Sequence, residues 1–244
     1  MTKFIKPLLL TLVPLCLLTG CDRLFATTQP AMVDYDFSDL QFIQLETPTD
    51  LPTVVITTTL GSMTAVLYPE YAPNTVDNFL NRVNEGFYDG KDIYGVEPGG
   101  MFLTGAADEK HNGGITNDGE PIPNEYSVKL WPFRGSLLSY YGKQGFGDSR
   151  FFAVDSVPFG ETEAQYLREL MNKNGEYYIP EELVDAFLHN ENAAGFAGMY
   201  TVFGQITDGL DVLDKITSTP VTGTAPTYPI HIESIKVVQN EIND

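Results

Sequence analysis

The chain has 244 residues, 43% of them hydrophobic and 12% aromatic, enough apolar material for one folded domain with decorations. Lys and Arg number 14 against 33 Asp and Glu, a formal net charge of −19. Such a surface repels phosphate, which argues against a nucleic-acid partner, and it is repelled by anionic lipid, which suits a domain tethered near a membrane but not lying on it.

At the N-terminus, Lys3 and Lys6 precede an apolar run, Pro7–Leu18, that ends in Leu18-Thr19-Gly20-Cys21. A basic start, a short apolar core and small residues at a cut site describe a signal peptide over residues 1–20. The run is short for a membrane span and carries Pro7 and Pro14. Its last four residues resemble the bacterial lipobox, in which the cysteine is lipidated and becomes the mature N-terminus. Cys16 falls in the removed segment, so Cys21 is left as a lone thiol with no disulfide partner in the chain. The resemblance implies an extracytoplasmic protein anchored to a bacterial membrane through lipid on Cys21. Residues 21–50 read as the lipidated end and a tether, with Tyr35, Phe37 and Phe42 scattered among Thr, Gln, Pro and Asp. Either a disordered spacer or a segment docked on the domain fits that composition.

Two short strands are expected next, Val54–Thr59 and Met63–Leu67, joined through Gly61. Pro73 then opens an amphipathic helix. Val76, Phe79, Leu80 and Val83 fall at i, i+3, i+4 and i+7 on one face, Asp77, Asn81 and Arg82 take the wet side, and Gly86 supplies the stop. This order, a hairpin feeding Ala72-Pro73-Asn74-Thr75-Val76-Asp77-Asn78-Phe79 and then Gly86-Phe87-Tyr88-Asp89-Gly90, resembles the start of a cyclophilin domain, the family of peptidyl-prolyl isomerases. The resemblance continues through residues 93–105, 113–126, 133–152 and 196–216, and covers about 52–239. It implies a cyclophilin-like closed eight-stranded antiparallel barrel, mostly β, capped by two helices beginning near Asn74 and Gly209, with a domain over 51–240 and a closing strand over Ile230–Val238.

In that family an arginine donates a hydrogen bond toward the prolyl nitrogen, while an apolar pocket holds the proline ring. Residues 93–105 align with the family stretch FHRVIPGFMIQGG. The arginine position is Gly95, its preceding histidine is Tyr94, the pocket phenylalanine is Gly100 and the glutamine is Leu103; only Met101 is kept. Phe133–Tyr141 aligns with FRGALSMAN and 147–152 with NGSQFF. These place Tyr140 and Tyr141 in the groove, Arg150 at the second glutamine and Phe152 at the pocket floor. Phe196, beside Gly195 at the tryptophan position, and Tyr200 complete the carried-over wall. The implied substrate-binding set is therefore Met101, Leu103, Tyr140, Tyr141, Phe152, Phe196 and Tyr200. Arg150 is open to two readings: a donor that compensates for Gly95, or an ion-pair partner of Asp148 or Asp155.

An insertion over about 157–194 interrupts the family pattern. Glu163–Asn172 reads as a helix with Tyr166, Leu167 and Leu170 on one face, ending near Gly175. Pro180–His189 reads as a second, with Pro180 as its first residue and Leu183, Val184, Phe187 and Leu188 on one face. It could gate the groove, bind a partner or cap exposed core. His111, His189 and His231 show no ligand spacing, so no metal or other cofactor is expected. Three functions remain open: an isomerase acting on X–Pro bonds of exported or surface proteins, a pseudo-isomerase that binds proline-containing peptides or a protein partner without turning them over, and a structural module. A monomer is expected.

Overall fold

The computed structural model describes residues 35–46, 50–143, 145–170 and 179–238. The signal segment, Cys21, Gly175 and the last residues of the helix expected over 163–172 lie outside the described residues. Thr53–Thr58 (β1) and Gly61–Leu67 (β2) pair as the expected hairpin. Gly61 sits at φ 134°, and a Cβ there would strike the Val212 side chain, so the turn needs a glycine.

Pro73–Asn84 (α1) follows, with Val76, Phe79 and Val83 buried. Arg82 departs from the expectation of a wet side chain. It is buried, and its Nη2 donates to Glu85 at 2.9 Å. Its aliphatic stem covers apolar surface while its head stays paired. The remaining elements are Gly95–Glu97 (β3), Met101–Thr104 (β4), Ile122–Pro123 (β5), Ser136–Ser139 (β6), Phe146–Gly147 (β7) and Phe151–Val154 (β8). Glu161–Arg168 (α2), Glu181–His189 (α3), Val202–Asp208 (β9), Leu210–Thr217 (α4), Val221–Thr222 (β10), Ala225–Pro226 (β11) and Ile232–Val238 (β12) complete the chain.

Eight strands form one sheet in the order β12-β1-β2-β9-β6-β8-β4-β3, every pairing antiparallel. Strand pairing does not carry the ladder round from β3 to β12. The two edges meet through a bridge between Asp92 and His231 and through flanking hydrogen bonds such as Ile93 N–H to the Ile230 carbonyl at 2.9 Å. The strands thus form a curled sheet, a half-barrel, and their pairing stops short of the closed barrel that the resemblance implies. β3 is only three residues long, and its Val96 N–H is taken by the Thr224 carbonyl at 2.8 Å, at the β10–β11 ribbon.

Alternation along the strands divides the sheet into two faces. One face carries Phe102, Leu137, Phe151 and Ala153 and is covered by α1 and by Val212, Leu213 and Ile216 of α4. Each large apolar side chain fully buried there contributes roughly 1.5–3 kcal/mol. The opposite face carries Met101, Leu103, Leu138, Phe152 and Val154.

A third cluster joins the rest. Trp131 and Phe133 pack against Leu183 and Phe187 of α3, with Tyr35, Phe37, Leu40 and Phe42 of the N-terminal segment laid over them. Of the tether region, residues 35–46 are thus docked. Gln44 is buried and donates to Ser136 Oγ at 2.8 Å and Gln205 Oε1 at 3.0 Å, while its Oε1 accepts from Trp131 N–H at 2.6 Å. In the insertion, α3 buries Leu183, Val184 and Phe187 as expected, though Pro180 caps the helix and does not begin it. Tyr166 of α2, expected on the buried face, is exposed, and Ala164 takes the buried position. Among the described residues, no helix is long and apolar enough to cross a membrane.

Candidate functional site

Register builds the site. Gly95, Leu103, Phe152 and Leu138 stand opposite one another across β3, β4, β8 and β6, so their side-chain positions share one face of the sheet. Met101 lies one period further along, opposite Val154. Met101, Leu103, Phe152 and Tyr200 belong to a single apolar cluster, with Tyr94, Tyr140 and Phe196 packed at its border. Phe152, which the resemblance puts at the pocket floor, lies within this cluster. Tyr200 meets it edge-on at 4.9 Å and Phe196 at 5.3 Å, so Phe196 supplies aromatic bulk beside Gly195. Tyr141 stands apart: its ring faces Phe146 at 6.1 Å and the Arg150 guanidinium, outside the apolar cluster.

The floor is covered. Phe152 is 0% exposed, Met101 and Leu103 2%, and Tyr200 8%. Burial pushes the Tyr200 and Tyr94 phenols well above their ordinary range. The Tyr94 hydroxyl is buried and has no hydrogen-bond partner among the described residues.

Arg150 lies just before β8, outside the strand, and its guanidinium reaches the ring of Tyr140 at the border of the apolar cluster. Its Nε donates to Asp148 Oδ1 at 3.0 Å and Oδ2 at 3.1 Å, and its Nη2 to Oδ2 at 2.6 Å. The Arg150 backbone N–H also donates to Asp148 Oδ1, at 2.8 Å. Both residues are buried, and the guanidinium lies 5.1 Å from the Tyr140 ring centroid and 5.5 Å from that of Tyr141. Burial alone would lower the guanidinium pKa; the Asp148 hydrogen bonds and charge outweigh it, and the net shift is upward. Its Nη1 makes no hydrogen bond among the described residues. Asp155, the other carboxylate considered for Arg150, instead accepts from Arg134 Nε at 2.8 Å and from Thr217 Oγ1 at 2.6 Å.

Sequence reasoning missed the surroundings of this pair. Gly114 passes so close to Asp148 that a Cβ there would overlap the carboxylate. His111 stacks on Tyr94 at 4.6 Å, and His111 and His231 meet on opposite oxygens of Asp92 at 3.0 and 2.8 Å. The Asp-x-Arg spacing was a usable signal, because an aspartate accepts from the backbone N–H two residues on and so turns its carboxylate toward that residue. Nothing local announced the Gly114 or histidine contacts, which span loops.

The family described as cyclophilin type peptidyl-prolyl cis-trans isomerase matches residues 53–237. A Streptococcus pyogenes protein named "Putative bifunctional phosphatase/peptidyl-prolyl cis-trans isomerase" is 32% identical over 88% of this chain, which spans 44% of that longer relative. A Staphylococcus saprophyticus protein named "Putative peptidyl-prolyl cis-trans isomerase" is 29% identical over 76% of this chain and 91% of its own length. The crystal structure of a Cryptosporidium parvum cyclophilin type peptidyl-prolyl cis-trans isomerase superposes with a TM-score of 0.59 at 19% identity, covering 78% of this chain and 99% of the other.

Proposed function

Because the chain belongs to the cyclophilin-type peptidyl-prolyl cis-trans isomerase family, we propose that it turns X–Pro bonds of exported or surface proteins, with Arg150 as the donor that Gly95 cannot be. An X–Pro bond isomerises slowly because amide resonance sets a barrier of about 18–20 kcal/mol. A group that hydrogen-bonds the prolyl nitrogen favours the twisted amide, in which the nitrogen lone pair is no longer delocalised, over either planar form. The observation that carries this reading is the Arg150 guanidinium 5.1 Å from the Tyr140 ring, at the border of the Phe152 cluster, with Nη1 outside its hydrogen bonds to Asp148. Phe152, Met101, Leu103 and Tyr200 would hold the proline ring while the preceding carbonyl turns.

The test is exchange spectroscopy on an Ala–Pro peptide with catalytic amounts of protein. The parent brings cis–trans exchange into the sub-second range, and Arg150→Ala loses that acceleration with the fold intact. Unchanged turnover in Arg150→Ala would rule out the donor role.

One observation favours a second reading, a peptide-binding protein without turnover. The pocket floor lies beneath Tyr140, Phe196 and Tyr200, and a proline ring reaches Phe152 only after these aromatics move. Peptide signals that shift without faster exchange select this reading. In both readings the protein is held at a bacterial membrane, on its extracytoplasmic side, by lipid on Cys21. The support is the Leu18-Thr19-Gly20-Cys21 run behind a basic, apolar leader.

A further inference from the structure

We infer that Asp148 is a positioning residue for Arg150, fixing which guanidinium nitrogen faces the groove; this rests on Arg150 being the donor. A free arginine side chain carries five N–H donors on a flexible stem, and any of them could turn toward a ligand. Here the Asp148 carboxylate takes both Nε and Nη2, and Nη1 is left over. A planar guanidinium gripped along one edge cannot rotate about its Cζ–Nε bond without breaking charged hydrogen bonds, so the free edge has one direction.

Asp148 is itself immobilised. Its Oδ1 accepts from the Arg150 backbone N–H at 2.8 Å, its own N–H donates to the Tyr140 carbonyl at 3.1 Å, and Gly114 closes the space behind the carboxylate. Tyr140 and Tyr141 hold the guanidinium through their rings. The same pairing offsets the guanidinium charge beside an apolar floor. A peptide segment with no acidic residue next to its proline therefore fits the site as well as one that carries an acid.

Asp148→Asn tests this, because asparagine keeps the volume and the acceptor for the Arg150 N–H but loses the charged two-point grip. In the full chain, kcat for Ala–Pro exchange falls by about tenfold or more while KM stays within about twofold, since a displaced donor harms the twisted state more than binding. A merely structural role predicts lower thermal stability with kcat unchanged at temperatures where the fold is intact. Nitrogen-15 spectra of arginine side chains give a readout independent of turnover. The Arg150 Nη groups give separate, slowly exchanging signals in the parent and merge in Asp148→Asn.

If Arg150→Ala loses turnover but Asp148→Asn keeps it, the positioning role is overturned and the donor stands. If Arg150→Ala keeps full turnover, or the parent has none, the donor reading fails. The side-chain spectra then decide the positioning alone, and merged Nη signals in the parent overturn it.

Discussion

Five tyrosines line or neighbour the two faces of the sheet, and their phenols are a second expression of its burial. Tyr68, Tyr94 and Tyr200 are pushed above their ordinary pKa, first by desolvation, and buried Tyr88 is pushed well above it. Tyr140 moves the same way, again mainly through burial. The unfolded chain ionises these groups near pH 10, whereas the fold keeps them neutral. Their contribution to stability is thus complete below about pH 10 and is lost as the pH rises above it. In an alkaline titration, phenolate absorbance from these residues should appear together with loss of the far-ultraviolet circular dichroism. Phenolates forming near pH 10 with the dichroism unchanged would contradict the burial.

At this scale much of the site was legible. Alignment to the family motifs named Met101, Leu103, Phe152, Phe196 and Tyr200; strand alternation puts the first three on one face, and the turn before β9 brings Phe196 and Tyr200 against Phe152. Tyr141 stands outside the cluster because, two residues beyond β6, the strand rule no longer fixes direction. Arg150 was open to two readings, and it pairs with Asp148 through Nε and Nη2.

Among the elements, α1 shows how the sequence can set a helix without setting what holds it. Ala72 occupies the N-cap position and has no side chain able to cap. The exposed backbone donors are served from another part of the chain. Glu125 Oε1 accepts from the Asn74 N–H at 3.0 Å, and Oε2 from the Thr75 N–H at 2.9 Å and the Thr75 hydroxyl at 2.7 Å. A carboxylate there also suits the positive end of the helix dipole. Glu125→Ala should lower unfolding stability by about 1–2 kcal/mol in denaturant titration, with Glu125→Gln in between. A midpoint unchanged in both variants would show that the cap is idle.

The helix itself was readable from its i, i+3, i+4, i+7 stripe. Its cap was not, because the donor and acceptor lie some fifty residues apart. The same holds for Gln44, whose three partners lie on β6, β9 and the loop before them; composition left that segment open between spacer and docked strap.

Over the whole molecule, the eight antiparallel strands, both capping helices and the inserted pair were foreseen; closure was expected as well, but strand pairing stops at a curled sheet, where the Val96 N–H goes to the Thr224 carbonyl. The negative surface and the proposed anchor act at this scale too. Expressed in a bacterial host, the parent should partition with membranes and carry the mass of a diacylated N-terminal cysteine, and Cys21→Ser should leave an unprocessed chain without that mass. A parent lacking any lipid mass would remove the anchor from the proposal.

The pairing of β1 with β12, Thr53 opposite Val238, bears on the order in which the chain can fold. β1 finds β2 at once, but its other edge waits for β12 to be made. A partner so distant in sequence demands closing a loop as long as the domain, an entropic step that slows folding. A chain emerging from its N-terminus therefore leaves that edge of β1 open until β12 has been made. If the chain is exported as proposed, that delay suits threading it unfolded through a translocation channel.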